Sequence, residues 1–116
     1  MTIAEAARTT GVSAHTLRYY ERAGLLRGVG RNGSGHRSYS EEDLAWIEML
    51  TKLRRTGMPI RRVREYAQLV WAGPGNEAER LALLKAHQDD VRSQVSELEE
   101  CLRFIDRKIQ IYEEQQ

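Results

Sequence analysis

Three sets of residues in this chain have the types and spacing that chemistry or recognition needs. Gly28, Gly30 and Gly33, in the stretch RGVGRNGSGHRSY, satisfy G-x-G-x-x-G, a spacing with which backbone amides can cradle a dinucleotide's phosphates. His15, His36, His87 and the single cysteine, Cys101, are the candidate bases, nucleophiles and metal ligands. His15, Thr16, Arg18, Tyr19 and Arg22, within S-A-H-T-L-R-Y-Y-E-R-A, place hydrogen-bond donors beside aromatic edges over a few helical turns, as a groove-reading helix requires.

The elements around each set decide between these chemistries. A dinucleotide loop follows a buried strand and leads directly into a helix. Here the preceding residues form a helix that stops at Gly24, and the next helix waits until Glu41. The glycine stretch therefore reads as a hairpin-like wing, in which Arg27, Arg31 and Arg37 supply charge and His36 and Tyr39 supply hydrogen bonds. The histidines and Cys101 fall on separate elements with no nucleophile-base-orienter spacing, and metal sites need three or four ligands. Asp89-Asp90 and Glu99-Glu100 read as a solvated face. The chain is expected not to be an enzyme, and to need no cofactor and no metal.

Punctuation along the chain gives a mostly helical fold. Thr2 and Glu5 have capping-box spacing, and Gly11 ends the helix they begin. Ser13 caps a second helix that ends at Gly24, so two short helices flank a tight turn, the layout of a helix-turn-helix. In that second helix Leu17 reads as core and Arg22 as a solvated charge, while Tyr20 fits either the core or the groove. Ser40 before Glu41, Glu42 and Asp43 caps a third helix with Leu44, Ile47, Leu50 and Leu53 as its stripe, ending at Gly57. Pro59 opens a fourth, with Ile60, Val63, Tyr66, Ala67 and Val70 inward. Gly73-Pro74-Gly75 is the clearest break, and Asn76 with Glu79 starts the last helix.

That last helix carries a heptad seam. Leu81, Leu84, Val91, Val95, Leu98, Leu102, Ile105, Ile109 and Tyr112 recur in steps that suit a and d positions, with Gln88 as the one polar interruption. Residues 77–112 would form a rod of roughly 54 Å at 1.5 Å per residue. Such a stripe needs a partner helix, most simply a second copy. The expected division is 1–72 for a DNA-binding unit, 73–76 for a linker and 77–116 for a dimerisation helix.

Charge agrees with this division. The whole chain is only +1, but residues 1–72 hold 12 Lys/Arg against 7 Asp/Glu, while residues 73–116 hold 6 against 10. The first part suits a polyanion. No apolar run approaches the roughly 18 to 20 residues of a membrane span, and MTIAEAARTTG lacks the basic start and apolar stretch of a signal peptide. A lone cysteine permits no internal disulfide. The expected location is the cytoplasm, on the nucleoid, with no membrane partner.

The run I-A-E-A-A-x-x-x-G-V-S-x-x-T-L-R-Y-Y-E-x-x-G-L-L, then R-x-Y at 37–39 and L-R-x-T-G-M-P at 53–59, resembles the MerR family of bacterial transcription regulators. The tail, with R-L-A-L-L-K-x-H and R-K-I-Q-I-Y, resembles its short, aldehyde-responsive, AdhR-like branch. The resemblance implies an all-α fold with a small wing: a winged helix-turn-helix followed by a long dimerisation helix in an antiparallel coiled coil. It implies a homodimer that binds double-stranded DNA at an inverted-repeat operator and distorts the promoter so that RNA polymerase engages it. Carried over by position, His15, Thr16, Arg18 and Tyr19 lie in or beside the major groove, with Ser13 and Tyr20 next to them. Arg37 and Tyr39 grip the backbone from the wing, and Arg54, Arg61 and Arg62 add phosphate contacts.

The sensor is where the chain departs from the family pattern. The AdhR-like branch often has a cysteine directly before the Leu-Arg of L-R-x-T-G-M, and Lys52 stands there. The chain stops at Gln116, without the metal loop or ligand domain of other members, so no family effector site is expected. Cys101 and His87 both fall at g positions. In an antiparallel coil with its axis near position 94, Cys101 would face His87 of the second copy, as a sensing pair or as a thiol and an imidazole with no role. Two other functions fit the same residues. One is an excisionase-like architectural factor that bends DNA; the other is an adaptor that heterodimerises through the coil, with Gln88 selecting the partner.

Overall fold

Thr2, Ser13 and Ser40 each accept a hydrogen bond from the amide three residues on, and each opens a helix in the computed structural model of the chain. The structure describes residues 1–27 and 38–116 in full, and the backbone alone of residues 30, 31 and 37. The elements run α1 (Ile3–Thr10), α2 (Ala14–Arg22), β1 (Gly30–Arg31), β2 (Arg37–Ser38), α3 (Glu41–Arg55), α4 (Ile60–Trp71) and α5 (Glu77–Glu114). They divide into two units, Met1–Asn76 and Glu77–Gln116.

Local chemistry sets the helix ends. At α3 the capping box is complete: Asp43 N donates to Ser40 Oγ at 3.1 Å and Ser40 N to Asp43 Oδ2 at 2.8 Å. At α1 it closes differently. Glu5 N donates to Thr2 Oγ1 at 3.2 Å, but the Glu5 carboxylate takes the Thr2 hydroxyl at 3.1 Å. Such caps stabilise a helix by about 1 kcal/mol each. Gly11 and Gly24, which end α1 and the α2 turn, have φ +74 and +77, and an added Cβ would meet nothing within 4 Å at either. Backbone conformation, not space, is what demands glycine there.

The core of the first unit forms where the apolar faces of these helices converge. Leu17, Leu25, Ile47, Leu50, Met58 and Val63 are wholly buried, joined by Ala6, Val12, Leu44 and Ala67. Each large side chain contributes roughly 1.5 to 3 kcal/mol by leaving water. In α4, Ile60, Tyr66 and Val70 are only half-buried, since they flank the line through Val63 and Ala67.

Tyr20, which fitted either the core or the groove, and Tyr39, expected at the DNA backbone, are both buried in this core. Tyr20 is 5% exposed and Tyr39 2%, with the Tyr39 hydroxyl oxygen buried as well. Tyr20 lies three residues from Leu17 on the inward face of α2. Tyr39 is drawn in by its main chain: its N–H donates to Met1 O at 2.7 Å, and its carbonyl accepts from Met1 N at 3.1 Å.

The expected wing hairpin is present as a short antiparallel ladder, with Gly30 opposite Ser38 and Arg31 opposite Arg37. Gly28, Gly33, Gly35 and His36 lie outside the described residues, as do the side chains of Arg31 and Arg37.

Gly73-Pro74-Gly75 separates α4 from α5. Asn76, expected to cap the last helix, donates its side-chain amide back to Leu69 O of α4 at 2.7 Å. α5 is 38 residues long, about 57 Å at 1.5 Å per residue, and none of its residues is buried. Among the described residues no helix is long and apolar enough to cross a membrane.

Candidate nucleic-acid interface

The inward anchoring of α2 through Leu17 and Tyr20 determines what its other side presents. His15, Arg18, Tyr19 and Arg22 are all exposed and stand at i, i+3, i+4 and i+7, a single helical face. The Tyr19 ring lies 6.2 Å from that of Tyr20, so the exposed phenol leans on a buried one. Arg22, read from sequence as merely solvated, shares this face; its spacing of four from Arg18 was the available signal. Guanidinium, imidazole and phenol groups on one short helix can donate to and accept from base edges in a major groove.

Ser13 and Thr16 are otherwise engaged. The Ser13 hydroxyl accepts from Thr16 N at 3.1 Å and donates to Thr16 Oγ1 at 3.0 Å, so both residues serve the helix start, with Thr16 half-buried.

The chain leaving α2 is clamped from α3 and α4. Arg64 Nε donates to Ala23 O at 2.9 Å and Trp46 Nε1 to Leu25 O at 2.7 Å. Arg27 Nη1 donates to Trp71 O at 3.2 Å, and the guanidinium lies 5.9 Å from the centre of the Trp71 ring. Arg27, expected to supply charge for DNA, is thus held on an aromatic group. Trp46 packs between Trp71, at 5.5 Å, and Tyr66, stacked at 6.5 Å. Sequence reasoning missed Trp46, Arg64 and Trp71, because their roles depend on partners 21 to 44 positions away.

The α3–α4 turn gathers the remaining cations. Arg54 donates from Nη1 to Met58 O at 2.8 Å, bracing the turn while its side chain stays exposed. No side chain caps α4 at Pro59; Arg62 N bonds back to Pro59 O at 2.9 Å, and Arg61 and Arg62 are exposed in this first turn. Arg62 also pairs with Glu65 at 3.2 Å, but both side chains are about half exposed and the pair is worth little. An uncapped helix start flanked by arginines suits an anion.

On α5 the expected seam lies bare in the single chain. Leu81, Leu84, Val95, Leu98, Leu102, Ile105, Ile109 and Tyr112 are exposed, Val91 is half-buried and Gln88 is exposed. Phe104 and Ile111 are also exposed but stand at c positions outside the seam, with Lys108 Nζ 5.8 Å from the Phe104 ring centre. Cys101 is exposed. It stands 14 positions beyond His87 on the same helix, about 21 Å along the axis, so the two do not meet within one chain.

Comparison with known proteins places this geometry. The MerR helix-turn-helix regulatory protein family matches residues 1–69. An HTH-type transcriptional regulator of Haemophilus influenzae is 36% identical over 97% of this chain and 83% of its own length. The HTH-type transcriptional regulator AdhR of Bacillus subtilis is 47% identical over 63% of this chain and 52% of its own. The crystal structure of HiNmlR, a MerR family regulator lacking the sensor domain, bound to promoter DNA, superposes with a TM-score of 0.88 at 35% identity, covering 97% of this chain and 90% of that one. With the family match over residues 1–69 and a relative 36% identical over nearly the whole chain, the chain belongs to the MerR helix-turn-helix family of transcription regulators.

Proposed function

We propose that the chain acts as a homodimer that binds an inverted-repeat promoter operator and distorts it, so controlling access of RNA polymerase in the bacterial cytoplasm. Residues 1–72 form the DNA-binding unit and 77–116 the dimerisation helix, with 73–76 between them. The observation that carries this reading is the outward face of α2, where His15, Arg18, Tyr19 and Arg22 line up while Leu17 and Tyr20 hold the opposite side in the core. Arg18 and Tyr19 read bases, with His15 and Arg22 at either end of the face. Arg37, Arg54, Arg61, Arg62 and the first amides of α4 hold phosphates. The exposed seam of α5 pairs with a second copy, and no step requires catalysis, a metal or a cofactor.

Promoter DNA is the partner of HiNmlR in its crystal structure, which supports duplex DNA as the partner here. Selection from a random DNA pool by the purified protein, followed by affinity measured against salt, tests the proposal. An enriched inverted repeat with one fixed gap and a steep salt dependence is expected. Weak, sequence-blind binding would contradict it.

A further inference from the structure

We propose that Arg64 is a positioning residue of the DNA interface: through the Ala23 carbonyl it fixes the C-terminal end of α2 and thereby the angle of the reading face. The proposal rests on the assignment of α2 as the recognition helix. α2 has nine residues, too few to hold a helix by its own hydrogen bonds, so its ends must be fixed from outside. Its start is fixed by Ser13 and Thr16. At its end, Ala23 N, Gly24 N and Leu25 N bond back to Tyr19, Glu21 and Tyr20 carbonyls at 2.8, 3.1 and 2.9 Å.

The Ala23 carbonyl lies beyond those bonds and receives Arg64 Nε of α4 at 2.9 Å, a partly buried bond bridging 41 positions. The donor is a guanidinium at the negative end of a helix, so charge and dipole reinforce each other. Two residues on, Trp46 repeats the arrangement on the Leu25 carbonyl at 2.7 Å. Arg18, Tyr19 and Arg22 all lie within five positions of Ala23, so a shift of the clamped end carries the whole reading face with it. Base-edge contacts require fixed donor geometry, whereas sequence-independent phosphate contacts from long side chains adjust. Arg64 therefore governs discrimination between sequences more than affinity for DNA in general.

The test uses the full chain, the operator obtained by selection and a scrambled duplex of equal length. Arg64→Gln removes the charged donor, Arg64→Lys restores one, and Trp46→Phe removes the second clamp without changing charge. Arg64→Gln is expected to weaken operator binding about tenfold, to weaken scrambled binding by less than about twofold, and to speed amide exchange at residues 23–25 of the free protein. Arg64→Lys recovers most of the operator affinity, and Trp46→Phe shifts discrimination in the same direction as Arg64→Gln. Equal weakening on both duplexes, or an Arg64→Gln protein that still discriminates as the wild type does, overturns the positioning role while leaving the recognition helix in place. A wild-type protein that binds both duplexes alike overturns the recognition helix itself, and the proposal with it.

Discussion

Among the described residues, the unit Met1–Asn76 keeps six large apolar side chains wholly out of water, whereas α5 keeps none, although both are built from helices with regularly spaced apolar residues. In α2, α3 and α4 that spacing finds its complement within the same unit. In α5 eight seam residues from Leu81 to Tyr112 remain exposed, and their complement is assigned to another molecule. On the proposed reading the same pattern has two meanings: in the first unit it directs folding, and in the second it directs association. The stability of the paired α5 then depends on protein concentration, while that of the core does not.

The largest effect expected from breaking this contrast is in the seam. Leu98→Asp places a charge where two helices are proposed to meet, at a cost of about 3 to 5 kcal/mol. Sedimentation is expected to show monomers at concentrations where the wild type is paired, with the first unit still folded. Leu50→Ala attacks the core instead and is expected to remove about 2 to 5 kcal/mol, read by urea unfolding. Arg18→Ala leaves both in place; it is expected to cost about 1 to 3 kcal/mol in operator binding and to relax preference at one position in each half-site. Arg37→Ala, by comparison, weakens all sequences similarly and lowers the salt slope by about one. Gly11→Ala is smallest, about 1 to 2 kcal/mol from forcing a Cβ into left-handed backbone, visible as a lower thermal midpoint with unchanged sequence preference.

Features governed by nearby residues were legible in the sequence. Thr2, Ser13 and Ser40 cap helices because their partners lie three positions away, and Gly11 and Gly24 end turns through their own backbone freedom. The stripe Leu44, Ile47 and Leu50 follows from helical periodicity alone. The burial of Tyr39 was not legible because it depends on pairing with Met1, 38 positions earlier. A tyrosine in a basic, glycine-rich stretch has no local mark of the core. The clamps by Arg64, Trp46 and Arg27 were hidden for the same reason, since a carbonyl has no sequence signature. Tyr20 was ambiguous until the direction of α2 on the core was known, and that direction also brought Arg22 onto the reading face.

If α5 joins two reading units at one fixed separation, the spacing of the half-sites on the DNA decides whether both can bind. Inserting about 5 base pairs between the half-sites of the selected operator turns one half-site to the opposite side of the duplex. Affinity is expected to fall by at least about 100-fold, toward that of an isolated half-site, because one unit can no longer engage. Undiminished binding to the lengthened operator would mean that the two units bind independently, and would contradict the role given to α5.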